Sequence, residues 1–158
     1  MIARAIHHGP ELRRMRAADI PAVAELERVA YEFPWTEGIF RDCLRVGYDC
    51  RVLEGDGGTL QGYVILSVAA GEAHLLNICV HPDRRHCGLG RDMLRHALAE
   101  ARMAGAERIF LEVRPSNHAA LAMYDAEGFV RIGHRPRYYR SRAGREDAVV
   151  LARELGDA

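Results

Sequence analysis

Two spacings of apolar residues divide the chain into helices and strands. Apolar side chains recur every three or four positions over residues 20–30 and 89–101, which predicts two amphipathic helices. Thr36 predicts the start of another helix, and the glycines at 105 and 128 predict helix ends. Short apolar runs bounded by turn residues predict strands within LRRMR, CRVLEGDGGTLQGYVILSV, EAHLLNICV, RIFLEV and VRIGHRPRYYRSRAGREDAVVLARE. The predicted order is β-α-α-β-β-β-α-β-α-β-β.

This order predicts an α/β (α+β) fold, in which a mixed, mostly antiparallel central sheet carries helices on both faces. Residues 74–80 and 108–113 flank one helix and have the βαβ pattern of parallel neighbours. We see no repeat and no linker long enough to divide the chain. We therefore expect one domain over residues 11–155, preceded by a flexible extension over residues 1–10.

The last hairpin is expected to carry a long arginine-rich loop. Six arginines and no acidic residue lie between Arg131 and Arg145. Such a run could bind ribosomal RNA or an acidic partner, or it could be a solvated loop. We favour the solvated loop.

Composition narrows the classes of function. The 158 residues are 49% hydrophobic and 28% charged with zero formal net charge, as in a soluble globular protein that does not bind nucleic acid through overall charge. No apolar run has the length of a membrane span and the first residues do not resemble a signal peptide, so we expect a cytoplasmic protein without membrane contact. The chain has no lysine, which excludes a Schiff base or a Walker lysine. The four cysteines form no C-x-x-C pair and the eight histidines are scattered, so no metal site is predicted.

The segment DRRHCGLGR, residues 83–91, connects a strand to the longest predicted helix. The first N–H groups of a helix are free, and glycines let a phosphate approach them closely. On this segment alone, an ordinary turn and a phosphate cradle are equally good interpretations. A dinucleotide fingerprint is excluded, because Met93 stands where its last glycine would be.

Two downstream stretches, LEVRPSN and ALAMYDAEGF, follow this loop, and together the three resemble the Gcn5-related N-acetyltransferase (GNAT) superfamily. Within it, FPWTEGIF and RYYRSRAGREDAVVLA are similar to the RimI type, the bacterial ribosomal-protein alanine N-acetyltransferases. The similar passages span most of residues 33–152. The resemblance implies transfer of acetyl from acetyl-CoA to an amine, without a metal.

The resemblance also implies site residues. The family's backbone contacts to the pantetheine arm correspond to Ile78, Cys79 and Val80, and its cofactor-contacting asparagine corresponds to Asn117. Asn117 could instead cap the following helix, and the two roles are compatible. The pyrophosphate-binding loop falls on Arg85, His86, Cys87, Gly88, Leu89, Gly90 and Arg91.

In the RimI type, the general base falls on Glu112 and the general acid on Tyr124. Desolvation in the apolar strand IFLEV is expected to raise the pKa of Glu112, which would suit a base; the alternative is a structural carboxylate paired with Arg108 or Arg114. Tyr124 could protonate the departing thiolate, or it could be a core aromatic residue.

Transfer is expected to be direct. Cys79 has apolar neighbours and no evident histidine base, so we interpret it as a structural thiol, not as a nucleophile.

Trp35, Tyr138 and Tyr139 are expected to flank the acceptor slot, although either tyrosine could equally pack in the hairpin. The predicted acceptor is the N-terminal alanine of a small-subunit ribosomal protein. The alternatives are a lysine or small-molecule amine, and a non-catalytic acyl-CoA-binding module of the same fold.

Overall fold

The computed structural model describes residues 10–156, which contain four α-helices and seven strands in the predicted order. The strands are β1 Glu11–Arg14, β2 Asp49–Glu54, β3 Leu60–Ala69, β4 Glu72–Val80, β5 Arg108–Val113, β6 Val130–Ser141 and β7 Gly144–Glu154. The helices are α1 Ile20–Ala30, α2 Glu37–Arg45, α3 Leu89–Met103 and α4 His118–Ala126. The predicted extension over residues 1–10 lies outside the described residues except for Pro10.

One sheet contains all seven strands in the order β1-β2-β3-β4-β5-β7-β6. Every neighbouring pair is antiparallel except β4 and β5, which are parallel as the βαβ pattern predicted. The prediction of a mixed, mostly antiparallel sheet is therefore confirmed.

Helices cover both faces of this sheet, because successive residues of a strand point to opposite sides. Val64 and Leu66 of β3 belong to one buried cluster, which contains the apolar stripe of α3 and Tyr124 of α4. Tyr63 and Ile65 belong to a second cluster, which contains the buried residues of α1 and α2. The two clusters form the cores above and below the sheet.

Helix starts follow the sequence signals. The Thr36 hydroxyl accepts a hydrogen bond from the Ile39 N–H at the start of α2, and the Asn117 side chain accepts one from Ala120 at the start of α4. Within residues 10–156, no helix has the length and apolar character that a membrane crossing requires.

The prediction of a long arginine-rich loop in the last hairpin is wrong. β6 extends to Ser141 and pairs with β7 up to Ser141–Gly144, so the turn itself contains only Arg142 and Ala143. Strand pairing satisfies the backbone groups that a long loop would leave to water. Four of the six arginines instead lie on the edge strand β6, which is interrupted by a register shift between Arg135 and Tyr139. Arg142 lies in the turn and Arg145 lies on β7.

Candidate active site

The parallel strands β4 and β5 separate in the middle of the sheet. They pair only over Glu72–His74 and Arg108–Phe110, although β4 continues to Val80 and β5 to Val113. A bulge at Leu76 shifts the register of β4 where the strands part, because Leu75 and Asn77 face consecutive residues of β3. The gap between residues 75–80 and 111–113 is here called the wedge.

Ile78, Cys79 and Val80 form the β4 edge of this wedge. β3 pairs with these residues on the other side, so their remaining backbone groups face the wedge. The Tyr31 hydroxyl donates a hydrogen bond to the Ile78 carbonyl at 2.8 Å and joins the end of α1 to this edge.

The predicted phosphate loop lies between β4 and α3. His86 and Gly88 both have left-handed backbones, with φ of +66° and +80°, and α3 begins at Leu89. A Cβ on Gly88 would meet no atom within 4 Å, so the space beside this backbone is open. The first N–H groups of α3 have no acceptor inside the helix, and the helix dipole adds a partial positive charge there. This geometry suits an anion.

Side chains around the loop have different roles. Gly90 lies against α4 and β4, because a Cβ there would be 3.4 Å from Met123 Sδ and 3.6 Å from Val80 Cγ2. The Arg91 guanidinium pairs with Glu127 at 3.3 Å, so its charge is already partnered. Arg85, His86 and Cys87 are exposed, and Leu89 is half-buried.

Glu112 of β5 is buried at the mouth of the wedge, with a side chain only 5% exposed. Its Oε2 lies 2.6 Å from His74 Nε2, and its Oε1 lies 3.4 Å from Arg135 Nη2. Oε1 accepts no hydrogen bond from the residues that the structure describes. It is therefore a buried, charged acceptor with an unused lone pair.

The sequence-based expectation for the pKa of Glu112 is wrong. Burial does raise this pKa, but the hydrogen bond from His74 and the charges of His74 and Arg135 together outweigh burial and lower it. The structural pairings weighed from the sequence are wrong too, because Arg108 pairs with Glu72 and Arg114 with Glu146.

Tyr124 is 5% exposed on α4, and its ring packs edge-on against Phe129 at 5.4 Å between centroids. Burial raises its pKa, so the hydroxyl keeps its proton at every physiological pH. It can therefore act as a proton donor or a hydrogen-bond donor at this position, and not as a base.

The two cysteines near the cofactor residues differ in exposure. Cys79 is buried at 3% exposure, and burial raises the pKa of its thiol to about 11. It therefore stays protonated near neutral pH, which agrees with a structural thiol. Cys87 is exposed in the loop, with Sγ 3.6 Å from the Arg85 carbonyl oxygen.

An open cavity of about 330 Å³ lies between the α1–α2 connection and the β6–β7 hairpin. Tyr138 and Tyr139 line it as predicted, with their rings at 4.8 Å, and the Arg114 guanidinium lies 4.4 Å from the Tyr139 ring centroid. Trp35 is not in its wall, because the indole packs against Phe40 in the core. The complete lining is Glu32, Phe33, Pro34, Arg114, Tyr138, Tyr139, Arg140 and Arg145. We call this the acceptor cavity.

Arg135 connects the acceptor cavity with Glu112, because its Nη2 lies 3.4 Å from Glu112 Oε1 and its Cζ lies 5.6 Å from the ring centroid of Tyr138. Burial raises the pKa of Tyr138, and the nearby negative charge of Glu112 raises it further. The same two causes act on Tyr139. The structure thus brings the predicted acceptor residues and the predicted base together, with the exception of Trp35.

Sequence reasoning missed two polar residues of the site. Glu27 of α1 is 2% exposed and accepts hydrogen bonds from the Trp35 N–H, the Tyr63 hydroxyl and the Asn77 amide. A carboxylate on the apolar stripe of α1 was the available signal. The second is His74, which no pattern in the sequence connected to Glu112.

Comparisons with known proteins agree with this arrangement. The sequence model of the acetyltransferase (GNAT) family matches residues 19–129. The [ribosomal protein bS18]-alanine N-acetyltransferase of Escherichia coli strain K12 is 38% identical over 138 residues, covering 87% of this chain and 93% of that protein. The protein of the same name from Haemophilus influenzae is 30% identical over 143 residues, covering 89% and 96%.

Among solved structures, the ribosomal-protein-S18-alanine N-acetyltransferase of Escherichia coli matches with a TM-score of 0.87 and 36% sequence identity. The match covers 94% of this chain and 96% of that one. The family match, the sequence relatives and the shared fold lead to one conclusion: the chain belongs to the GNAT family of acetyltransferases.

Proposed function

We propose that this protein transfers the acetyl group of acetyl-CoA directly to the N-terminal α-amine of a protein, the N-terminal alanine of a small-subunit ribosomal protein. The observation that carries the proposal is the buried Oε1 of Glu112, which accepts no hydrogen bond from the described residues and lies 3.4 Å from Arg135, whose guanidinium also lies 5.6 Å from the Tyr138 ring in the wall of the acceptor cavity. The names of the Escherichia coli and Haemophilus influenzae relatives support this acceptor.

The loop and the wedge fit coenzyme A. The open space beside Gly88 and the free N–H groups at the start of α3 suit its diphosphate. The unpaired edge of Ile78, Cys79 and Val80 offers backbone groups to the amides of the pantetheine arm. Asn117 caps α4, and its predicted contact with the cofactor is compatible with that role.

The proposed chemistry uses two side chains. Glu112 Oε1 takes a proton from the acceptor ammonium, directly or through a water, so one N–H bond breaks and one O–H bond forms. The nitrogen lone pair then attacks the thioester carbon and forms the C–N bond. The nitrogen loses its second proton to solvent, and the C–S bond breaks as the tetrahedral intermediate collapses. Tyr124 gives its hydroxyl proton to the leaving thiolate, and solvent afterwards restores both side chains.

An α-amine gives up its proton to Glu112 more easily than a lysine does. An α-ammonium has a pKa of about 8 against about 10.4 for a lysine ammonium, and this difference is the same whatever the pKa of Glu112. That difference of roughly 2.5 units makes the proton transfer about 3.5 kcal/mol easier for the α-amine. Near neutral pH roughly a quarter of α-amines are already deprotonated, against about one lysine in a thousand.

We also propose the extent and the setting of the protein. Residues 11–155 form one acetyltransferase domain, which is supported by the fact that the first and last strands, β1 and β7, belong to the same seven-stranded sheet. The protein works in the cytoplasm, where ribosomal proteins are made, and its partner is a protein N-terminus, not a membrane or a nucleic acid.

Release of coenzyme A thiol, measured with peptides, tests the proposal. One peptide begins with a free alanine and copies a small-subunit ribosomal protein; the other has the same sequence with a blocked N-terminus and one internal lysine. We expect a higher kcat/KM for the alanine peptide. A preference for the lysine peptide, or for a small amine, would assign the other acceptor class, and no release with any amine would indicate a non-catalytic module.

A further inference from the structure

His74 lies beside Glu112 at the point where β4 and β5 part. It is the last residue of β4 paired with β5, and its ring stacks on Phe110 with centroids 4.2 Å apart and planes 18° apart. Its Nε2 lies 2.6 Å from Glu112 Oε2. Stacking and the hydrogen bond together fix both the imidazole and the carboxylate.

The two partners differ in their access to water. The His74 side chain is 25% exposed and that of Glu112 only 5%. Nε2 is occupied by Glu112, and no group in the part of the chain that the structure describes hydrogen-bonds Nδ1. Solvent can therefore protonate Nδ1 while the bond from Nε2 to Glu112 stays intact.

We propose that His74 is a positioning residue whose protonation state controls the base. Its neutral imidazole donates a hydrogen bond from Nε2–H to Glu112 Oε2 and so holds Oε1 toward the acceptor cavity. Protonation at Nδ1 makes Glu112 a poorer proton acceptor. The proposal rests on the proposed function and deepens it. It adds a residue that neither the family motifs nor the sequence analysis assigned.

The electrostatics of the pair give the direction of the effect. With a neutral imidazole, the pair carries one negative charge and Oε1 can accept the ammonium proton. With an imidazolium, a second positive charge joins that of Arg135 beside the carboxylate, and accepting a proton becomes less favourable. Activity should therefore fall as the pH drops through the titration of the pair.

The other groups facing the pair do not titrate in this range. Arg135 of β6 stays charged, and Tyr138 and Tyr139 stay neutral because their pKa values are raised. Glu72, two residues before His74, and Arg108, four residues before Glu112, pair with each other at 3.7 Å. Histidine is the side chain that changes charge between about pH 5 and 8.

Two substitutions separate positioning from switching. The amide nitrogen of glutamine in His74→Gln can donate the same hydrogen bond without titrating, whereas His74→Ala removes the donor. His96→Gln is the matched control, since His96 is a partly exposed histidine 3.8 Å from a glutamate elsewhere on the surface. The kcat is measured with the alanine peptide at saturating substrates from about pH 5.5 to 9, and the KM of each substrate is measured alongside.

We expect His74→Gln to keep kcat on the alkaline side within about threefold and to lose less activity than the wild type on the acidic side. His74→Ala should lower kcat by about 10- to 100-fold at all pH values, as a misplaced catalytic group does, with little change in either KM. His96→Gln should follow the wild type throughout. Thermal unfolding of each variant confirms that it is folded, and His74→Gln keeps the test available if His74→Ala unfolds.

Either half of the proposal can be overturned. A His74→Ala enzyme with wild-type kcat would show that His74 does not position the base. A His74→Gln enzyme with the full acidic limb of the wild type would assign that limb to another group. If the wild type acetylates only the blocked-lysine peptide, the proposed acceptor fails, and the same pH profiles measured on that peptide still decide the role of His74.

Discussion

Removing the Glu27 carboxylate should destabilise the protein more than any exposed charge change. Its two oxygens accept three hydrogen bonds, at 2.7 Å from the Trp35 N–H, 2.5 Å from the Tyr63 hydroxyl and 2.9 Å from the Asn77 amide. Tyr63 is fully buried, so Glu27→Ala leaves donors without water beside them. An orphaned buried donor costs about 1–3 kcal/mol, and water entering the vacated space recovers part of that.

We therefore expect Glu27→Ala to lose about 3–5 kcal/mol of unfolding free energy, which is a large part of the roughly 5–15 kcal/mol typical of a domain. Glu27→Gln keeps the shape but turns one acceptor into a donor, and should lose about 1–3 kcal/mol. At about 2–4 °C per kcal/mol for a chain of this size, Glu27→Ala should lower Tm by roughly 6–20 °C.

Urea unfolding followed by circular dichroism measures these losses, provided that the m-value stays constant. Glu25→Ala is the control on the same helix, because Glu25 is 60% exposed and, among residues 10–156, pairs only with the exposed Arg28. We expect that variant within about 0.5 kcal/mol of the wild type. A Glu27→Ala protein destabilised by less than about 1 kcal/mol would refute the reasoning, since the three donors would then have found other partners at no cost.

Three further predictions concern the site. Gly88→Glu should abolish most coenzyme A affinity in calorimetry, because it places a side chain and a negative charge in the open space of the cradle at a left-handed position; unchanged affinity would move the diphosphate elsewhere. Tyr124→Phe should lower kcat far more than acetyl-CoA affinity, whereas Cys79→Ala should keep most activity because its thiol is protonated. An acetylated cysteine that turns over on adding amine would contradict direct transfer.

Local patterns predicted the elements well. Helix caps at Thr36 and Asn117 and the apolar stripe of α3 depend on residues three or four positions apart, so the sequence contains them in full. The loop over residues 85–91 was identifiable for the same reason, because its glycines and the helix start are contiguous. The order of all eleven elements followed.

The prediction of a long arginine-rich loop was wrong for a different reason. The charged residues and turn residues of this segment favour a loop locally. Once the hairpin closes, however, β6 forms backbone hydrogen bonds with β7, and this strand pairing outweighs the local preference for a loop. The position of Trp35 was likewise decided by packing, since the core offered its indole the Phe40 ring.

The sequence by itself determined the elements, the family resemblance and the identity of the candidate base and acid. Only the tertiary structure decided the electrostatic state of Glu112 and the shape of its surroundings. Its partners His74 and Arg135 lie 38 and 23 positions away along the chain and meet it only across the sheet. A pKa is the balance of burial against neighbouring charges in space, and that balance has no counterpart in the order of residues along the chain.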